Sequence, residues 1–178
     1  MALLKKEYTQ QSLHNLSLQA LNHLEQLPLF RQSNCFAIYH ALKGELQTSE
    51  FIDKWHNKKN ILLPIVKGDD IVLQSYMGRD SLKPGAFGIL EPTKTPYTTT
   101  KPDIIIIPGI AFDKQYNRLG RGKGYYDRFL NNLQIPKVGL CFSFQLIDKI
   151  PSESFDIKMD YIVTNMGVIS YSNELQDS

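Results

Sequence analysis

The sequence has little of what marks a disulfide scaffold, a membrane span or a strongly basic surface. Its 178 residues include two cysteines, Cys35 and Cys141, without the C-x-x-C or Cys/His spacing of a metal or redox site. Both lie in apolar runs, so we expect small core residues and a reducing, cytoplasmic setting. No stretch approaches the ~18 apolar residues of a membrane span, and the net charge is only +2. A membrane role is not expected, and a nucleic-acid site would need a local cluster of cations.

Apolar runs of strand length alternate with helical patterns along the chain. Three helices are expected, over about 13–27, 49–58 and 125–133. Pro28 would end the first, and Thr48 or Ser49 would cap the second. Strands are expected over 35–39, 61–64 (closed by Pro64), 71–76, 104–107, 138–142 and 161–164, the last of the chain. The Lys-Gly-Asp-Asp turn at 67–70 predicts that the second and third strands form a hairpin.

This alternation predicts an α/β protein with a mostly parallel open sheet and helices on both faces. We expect a single domain over 1–178, with its core over about 13–168 and a frayed tail at 173–178. In such sheets ligands bind beyond the carboxyl ends of the strands. The segments that follow the strands 35–39 and 104–107 are therefore the places where a site is expected.

A long basic segment rich in glycine, residues 108–124 and called the glycine loop below, follows four consecutive isoleucines. It leads into a helical pattern at Tyr125. Glycines let backbone N–H groups approach an anion, and Arg121 and Lys123 add positive potential, so this order favours an anionic ligand such as phosphate. The loop is neither a Walker P-loop nor a Rossmann fingerprint. A solvated linker and an RNA-contacting Arg-Gly segment are the alternatives from the residues alone.

Acidic residues near the glycine loop could supply ligands for a metal. Asp127 stands in the first turn after the loop, where it either compensates the helix dipole or holds a metal against bound phosphates. Asp156 and Asp160 precede the strand 161–164 and offer a second carboxylate. Mg²⁺ needs only one or two carboxylates beside phosphate oxygens and waters. His40 and Glu45 share the segment after the strand 35–39, where a Glu is ordinarily just solvated.

Two strings of the glycine loop resemble the signature of a known enzyme family. Pro-Gly-x-Ala-Phe-Asp at 108–113 and Asn-Arg-Leu-Gly-Arg-Gly-Lys-Gly-Tyr-Tyr-Asp at 117–127 closely resemble the signature of the 5-formyltetrahydrofolate cyclo-ligases. Further matches stand in the family's order: Tyr39, Glu45-x-x-Thr48, Leu63-Pro64, Gly88-Ile89-x-Glu91-Pro92, Gln145, and Pro151 followed by Asp156 and Asp160. The resemblance extends over about 17–164.

The resemblance implies a three-layer α/β/α fold of the NagB/RpiA/CoA-transferase type. It also implies the ATP- and Mg²⁺-dependent closure of 5-formyltetrahydrofolate to 5,10-methenyltetrahydrofolate, with release of ADP and phosphate through a phosphorylated formyl group. We expect a monomer that binds neither nucleic acid nor membrane. The alternatives are a related ATP-dependent enzyme for another small formyl or amide substrate, and an RNA-binding module that uses the Arg-Gly segment.

The residues that the resemblance assigns lie mostly in the glycine loop. The ATP contacts would be Lys5, Lys6, Arg118, Leu119, Gly120, Arg121, Gly122, Lys123, Gly124, Tyr125 and Tyr126. The folate contacts would be His40, Glu45, Arg121, Gly122, Lys123, Gly124 and Tyr125. The catalytic cations would be Arg118, Arg121 and Lys123, and the Mg²⁺ ligands Asp127 and Asp156.

The amino-terminal region departs from the family pattern. The family has a Lys and, four residues later, an Arg, both used on ATP, whereas here Lys5 is followed at that spacing by Thr9. Either Lys5 or Lys6 takes this role, or the natural start lies upstream, or ATP binds more weakly.

Overall fold

The computed structural model describes residues 7–42, 44–85, 88, 90–92, 100–131, 133–153 and 156–170. Its helices are α1 (Gln10–Gln26), α2 (Pro28–Gln32), α3 (Ser49–Trp55) and α4 (Tyr125–Asn131). Its strands are β1 (Cys35–Ile38), β2 (Asn60–Lys67), β3 (Asp70–Ser75), β4 (Leu82–Pro84), β5 (Leu90–Pro92), β6 (Ile104–Ile107), β7 (Ala111–Asp113), β8 (Arg118–Leu119), β9 (Lys137–Leu140), β10 (Leu146–Ile147), β11 (Tyr161–Thr164) and β12 (Gly167–Ser170). Lys5, Lys6 and the expected tail at 173–178 lie outside the described residues.

A seven-stranded sheet in the order β12-β11-β9-β6-β1-β2-β3 forms the centre of the fold. The pairs from β11 to β2 are parallel, and only the edge strands β12 and β3 run antiparallel to their neighbours. β2 and β3 form the expected hairpin, whose turn includes Gly68 at φ 63°. The prediction of a mostly parallel open sheet is confirmed.

The sheet carries a hydrophobic core on each face, which produces three layers. Ala20 and Leu24 of α1 and Phe51 of α3 pack with alternate residues of β1 and β6 on one face. On the other face, Leu130 of α4 packs with Ile105 and Ile107. All four isoleucines of β6 are buried, as a strand covered on both faces requires. The α/β class with helices on both faces is thus confirmed, whereas the NagB/RpiA label stays a prediction.

Several elements differ from the sequence-based expectation. β2 continues through Pro64 instead of ending there, because β1 pairs only as far as the position of Leu62 and Pro64 meets a single neighbouring strand, β3. Pro28 ends α1 but also begins the short helix α2, which was not expected, since proline suits the first position of a helix. The strand over 161–164 is not the last, because β12 follows it across a tight turn.

Two smaller differences concern helix starts. α1 begins at Gln10, because Thr9 caps it by accepting a hydrogen bond from the backbone N–H of Ser12 at 3.1 Å. Thr48 stands at the cap position of α3 but makes no capping hydrogen bond. Its hydroxyl instead donates to the carbonyl of Tyr39 at 2.8 Å and ties the end of β1 to the start of α3.

Candidate active site

The glycine loop and the segment with His40 leave the sheet side by side. β1 and β6 are parallel neighbours, with Ile38 opposite Ile106. Both strands therefore end at the same edge, and the segments that follow them emerge next to each other. This edge is where a parallel sheet places its ligands.

The glycine loop is partly folded into a small sheet. β7 pairs antiparallel with β8 and parallel with β10, two interactions that the sequence did not suggest. Phe112, at the centre of β7, is fully buried. A Cβ atom at Gly109 would lie 2.6 Å from its ring, and a Cβ at Gly139 would lie 2.9 Å from Cδ1 and closer still to Cε1. The ring therefore occupies a slot between two glycine backbones, which anchors the start of the loop to β9.

Asp113 organises the turn between β7 and β8. Its carboxylate accepts hydrogen bonds from the backbone N–H groups of Gln115, Asn117 and Ile150 and from the side-chain amide of Asn117, at 2.8 to 2.9 Å. Burial alone would raise the pKa of Asp113, but these donors outweigh it and hold the pKa below its usual value. The ionised carboxylate thus fixes Asn117 and, with it, the backbone of the next residue, Arg118.

Gln145 fastens the beginning of the loop to the strand next to it. Its amide nitrogen donates to the carbonyls of Gly109 at 3.0 Å and Ile110 at 2.9 Å, and its amide oxygen accepts from the N–H of Phe142 at 3.0 Å. The side chain is buried. Gln145 therefore ties the start of the glycine loop, just after β6, to the segment that follows β9.

Arg118 and Asp127 form an ion pair behind the loop. One guanidinium nitrogen of Arg118 lies 3.1 Å from both carboxylate oxygens of Asp127, and only 5% of the Arg118 side chain is exposed. The guanidinium also lies 5.3 Å from the ring centre of Tyr126. Burial raises the pKa of Tyr126, and Arg118 opposes that shift. Within the described part of the chain, Arg118 Nε and Asn117 Oδ1 are buried polar atoms without a hydrogen-bond partner.

Arg121 reaches across to the segment that follows β1. Its guanidinium lies 3.1 Å from one carboxylate oxygen of Glu45, whose other oxygen accepts a hydrogen bond from the N–H of Leu42 at 2.9 Å. The Glu45 side chain is 16% exposed and that of Arg121 is 61% exposed. The structure thus brings together an expected ATP contact and an expected folate contact, which stand 76 positions apart in the sequence.

The end of the loop packs its cations around Tyr125. Lys123 Nζ and the Arg128 guanidinium lie 5.9 Å and 5.4 Å from the ring centre. Arg128 also donates to the carbonyls of Lys123 at 3.1 Å and Asp69 at 2.6 Å, which connects the loop to the β2–β3 turn. Gly122 and Gly124 have φ values of 79° and 65°, which side chains rarely adopt. Glycine is therefore required here by the backbone itself.

His40 is half-buried and lines a cavity of about 260 Å³ between α3, β4, β5 and the segment that follows β3. Burial lowers the pKa of His40. The cavity also contains Asp53, Tyr76 and Arg79, none of which the sequence singled out. Their positions depend on packing between elements, so no local pattern could have revealed them.

The two expected metal ligands occupy different settings. Asp127 lies at the basic loop, paired with Arg118. Asp156 makes a local hydrogen bond, accepting from the N–H of Glu153 at 2.7 Å, while Asp160 accepts from the N–H of Lys137 at 2.7 Å. The described residues contain no group of three or more His, Cys, Asp or Glu suited to a metal. Mg²⁺ needs fewer protein ligands when phosphate oxygens share it, so the carboxylate of Asp127 fits this ion.

Asp113, Phe112 and Gln145 are supporting residues for which the sequence assigned no role. They are visible in the sequence only as members of matched strings, because a buried carboxylate or amide has no local signature. None of the described helices is long and apolar enough to cross a membrane.

Comparison with known proteins agrees with this geometry. The sequence pattern of the 5-formyltetrahydrofolate cyclo-ligase family matches residues 1–165. The 5-formyltetrahydrofolate cyclo-ligase of Haemophilus influenzae is 34% identical over 160 residues, which cover 84% of this chain and 83% of the relative. That of Escherichia coli K12 is 28% identical over 170 residues, which cover 90% and 93%.

Solved structures show the same relationship. The NMR structure of the Aquifex aeolicus 5,10-methenyltetrahydrofolate synthetase matches with a TM-score of 0.84 and 34% identity, over 98% of this chain and 88% of that one. A 5,10-methenyltetrahydrofolate synthetase from Mycoplasma pneumoniae matches with a TM-score of 0.72 and 25% identity, over 92% of this chain and 93% of that one. The chain therefore belongs to the 5-formyltetrahydrofolate cyclo-ligase family.

Proposed function

We propose that this chain catalyses the ATP-dependent conversion of 5-formyltetrahydrofolate to 5,10-methenyltetrahydrofolate, with ADP and phosphate as the other products. The observation that carries the proposal is the ion pair between Arg121 and Glu45, which places the cationic loop against the segment expected to contact the folate. Arg118 and Lys123 belong to the same loop. In this proposal, the phosphate-binding side and the folate-binding side would face each other at the carboxyl edge of the sheet.

The proposed reaction has two bond-forming steps. The formyl oxygen attacks the γ-phosphorus of ATP, and the bond to the bridging oxygen breaks, which releases ADP. N10 of the folate then attacks the activated formyl carbon, and the former formyl oxygen leaves as inorganic phosphate. N10 loses its proton, and the product is the methenyl cation. Activation is needed because an amide oxygen is otherwise a very poor leaving group.

The side chains of the loop supply the electrostatics of this reaction. Phosphoryl transfer depends mainly on positioning and on neutralising charge at the phosphoryl oxygens. Arg118, nearly buried and held by Asp127, is positioned before substrate arrives and contributes fixed positive charge to the loop. Arg121 and Lys123 stand on the glycine-rich part of the loop, where the other cationic contacts are expected. We assign the phosphate contacts to these three cations and to the N–H groups of residues 119–126.

Asp127 and Asp156 would hold Mg²⁺, which neutralises charge on the ATP phosphates when it is bound. His40 and Glu45 would contact the folate, and Glu45 becomes available to it when phosphate oxygens replace its carboxylate beside Arg121. Lys5 or Lys6 would add contacts to ATP. We further propose a monomer in the cytoplasm, where the two free, buried cysteines would stay reduced. Sedimentation of the purified protein checks the oligomeric state.

The test is a turnover assay with a matched pair of variants. The purified protein with Mg·ATP and 5-formyltetrahydrofolate should raise the near-ultraviolet absorbance of the methenyl product. Lys123→Ala should lower kcat/KM by about 10² to 10³, the usual effect of removing one charge-stabilising donor. Lys114→Ala removes an exposed lysine from the same loop and should leave kcat/KM unchanged.

No methenyl absorbance from the wild-type protein, beside an active control enzyme, would overturn the proposal. Circular dichroism shows whether Lys123→Ala keeps its fold. Neither the family match nor the site favours the two alternatives, an enzyme for another formyl or amide substrate and an RNA-binding module.

A further inference from the structure

We propose that the cavity beside His40 receives the aminobenzoyl-glutamate arm of the folate, and that Arg79 binds a carboxylate of that arm. The inference rests on the proposed function and extends it to a residue outside the family's matched strings. It assigns to Arg79 the role of a specificity-determining residue for the non-reacting part of the substrate.

The cavity has the size and the mixed apolar and polar lining that such an arm requires. Its volume is about 260 Å³, below the roughly 300 to 1,000 Å³ of pockets that enclose a whole drug-sized ligand. It therefore suits one part of a folate rather than all of it. Its lining combines the apolar side chains of Ile52, Leu82 and Leu90 with polar ones, among them Tyr76 and Arg79. An aminobenzoyl ring that leads to glutamate carboxylates finds partners of both kinds there.

Arg79 is held in place by a network that leaves part of its guanidinium unused. Nε donates to Asp53 Oδ2 at 2.7 Å, and Nη2 makes a short contact with the same oxygen. The Tyr76 hydroxyl donates to the other oxygen of Asp53 at 2.9 Å. None of the hydrogen bonds described for Arg79 uses Nη1, and 72% of its side chain is exposed. A fixed guanidinium with a free donor group suits a second carboxylate.

Asp53 does not prevent Arg79 from binding a second carboxylate, because both of its oxygens already accept hydrogen bonds. The hydrogen bond from Arg79 is the main cause that lowers the pKa of Asp53, and Tyr76 contributes in the same direction. Three donors therefore converge on one carboxylate, which acts as the support of the arginine. Asp53 and, to a smaller extent, Glu50 raise the pKa of Arg79, so the guanidinium carries its charge when a substrate carboxylate approaches.

Charge identifies which arm of the folate enters the cavity. The reacting N5 and N10 atoms must lie near Arg121 and Lys123, where the phosphate contacts are proposed. From that centre the pterin ring extends to one side and the aminobenzoyl-glutamate to the other. The pterin ring is uncharged, whereas the glutamate carries carboxylates. Because the only cation lining the described cavity is Arg79, the cavity favours the charged arm.

The kinetic consequence separates this role from catalysis. Arg79 contacts a part of the substrate that does not change during the reaction, so it stabilises the ground state and the transition state equally. Removing such an interaction raises KM and leaves kcat in place. A residue that acted on the phosphoryl group would lower kcat.

The experiment compares two substrates in Arg79→Gln. With 5-formyltetrahydrofolate, KM should rise about tenfold, as expected for the loss of one hydrogen bond to a charged group, and kcat should stay within about twofold. With the primary amide of 5-formyltetrahydropteroate, which keeps the aminobenzoyl ring but carries no carboxylate in that arm, the variant and the wild type should have the same KM. Arg79→Lys should recover part of the lost affinity. Arg31→Gln, at an exposed arginine of α2, is the matched control and should change neither constant.

An equal rise of KM for both substrates, or no rise for either, would overturn the assignment. Binding of p-aminobenzoylglutamate, measured by calorimetry without ATP, provides a readout that needs no turnover. Binding that Arg79→Gln weakens supports the assignment even if cyclisation is not observed and the proposed function fails. Unchanged binding in an enzyme that does form the methenyl product would overturn the assignment alone.

Discussion

Replacing Gly139 by alanine tests the slot that anchors the glycine loop. Gly139 lies in the middle of the sheet, opposite Ile107 on one neighbouring strand and Ile162 on the other. The new methyl group would lie 2.9 Å from Phe112 Cδ1 and closer still to Cε1. Phe112 is fully buried, and Gly109 confines the other side of its ring. The ring has no free direction in which to move.

The expected cost follows from two opposing effects. Alanine in place of glycine inside a strand is by itself favourable by about 0.5 to 1 kcal/mol, whereas overpacking a rigid core costs about 1 to 3 kcal/mol. Because both the sheet and the ring are confined, we expect the clash to prevail and the free energy of unfolding to fall by about 2 kcal/mol. In a chain of this size, about 2 to 4 °C per kcal/mol corresponds to a Tm lower by about 4 to 8 °C.

Thermal unfolding followed by circular dichroism measures this change, and a double-mutant cycle assigns its cause. Phe112→Leu removes the ring atoms that meet the new methyl group. The combination of Gly139→Ala with Phe112→Leu should therefore be less destabilised than the sum of the single variants, by at least about 1 kcal/mol. A Gly139→Ala protein as stable as the wild type, or strict additivity in the cycle, would refute the reasoning.

Two further predictions concern buried ionisable groups. Because the folded-state pKa of Asp113 is lowered, its contribution is fully present above the ordinary Asp pKa of about 4 and is lost as pH falls through the lower folded value. Asp113→Asn should therefore lower the free energy of unfolding by about 3 kcal/mol at pH 7. Urea titrations should show that the difference between variant and wild type shrinks below pH 4, and a difference that does not change with pH would contradict the ionised state. Burial, with Asp103 adding to it, raises the pKa of the Cys35 thiol to about 11, and burial raises that of Cys141 to about 12. Mass spectrometry should show that iodoacetamide labels neither thiol in the native protein at pH 7.5 and both in urea, whereas native labelling at the rate of glutathione would show that the thiols are accessible.

The central strands could be predicted because their residues leave little choice. Four consecutive isoleucines suit only a strand covered on both faces, and the structure buries all of β6. The prediction that the strand ends at Pro64 was wrong, because proline interrupts a strand only where a neighbouring strand needs the N–H that proline lacks. Whether a neighbour exists at that point depends on where β1 ends. The local sequence does not contain this information.

The candidate site likewise has parts that the sequence could predict and parts that it could not. The glycine loop was found because its glycines and cations are consecutive, and the positive φ values of Gly122 and Gly124 show why those glycines are needed. The pairing of Arg121 with Glu45 and the network around Arg79 depend on side chains that come from different elements. The resemblance to the family pointed to Glu45, but it offered no indication of Arg79.

The sequence by itself determined the fold class, the buried strands and the loop that marks the family, because each depends on neighbouring residues and their periodicity. Only the tertiary structure decided what surrounds that loop. The parallel pairing of β1 with β6 brings Glu45 to Arg121, and the slot between Gly109 and Gly139 positions Phe112. The cavity forms where residues of α3, β4 and β5 come together. These are contacts between distant parts of the chain, and they exist only once the strands have taken their order in the sheet.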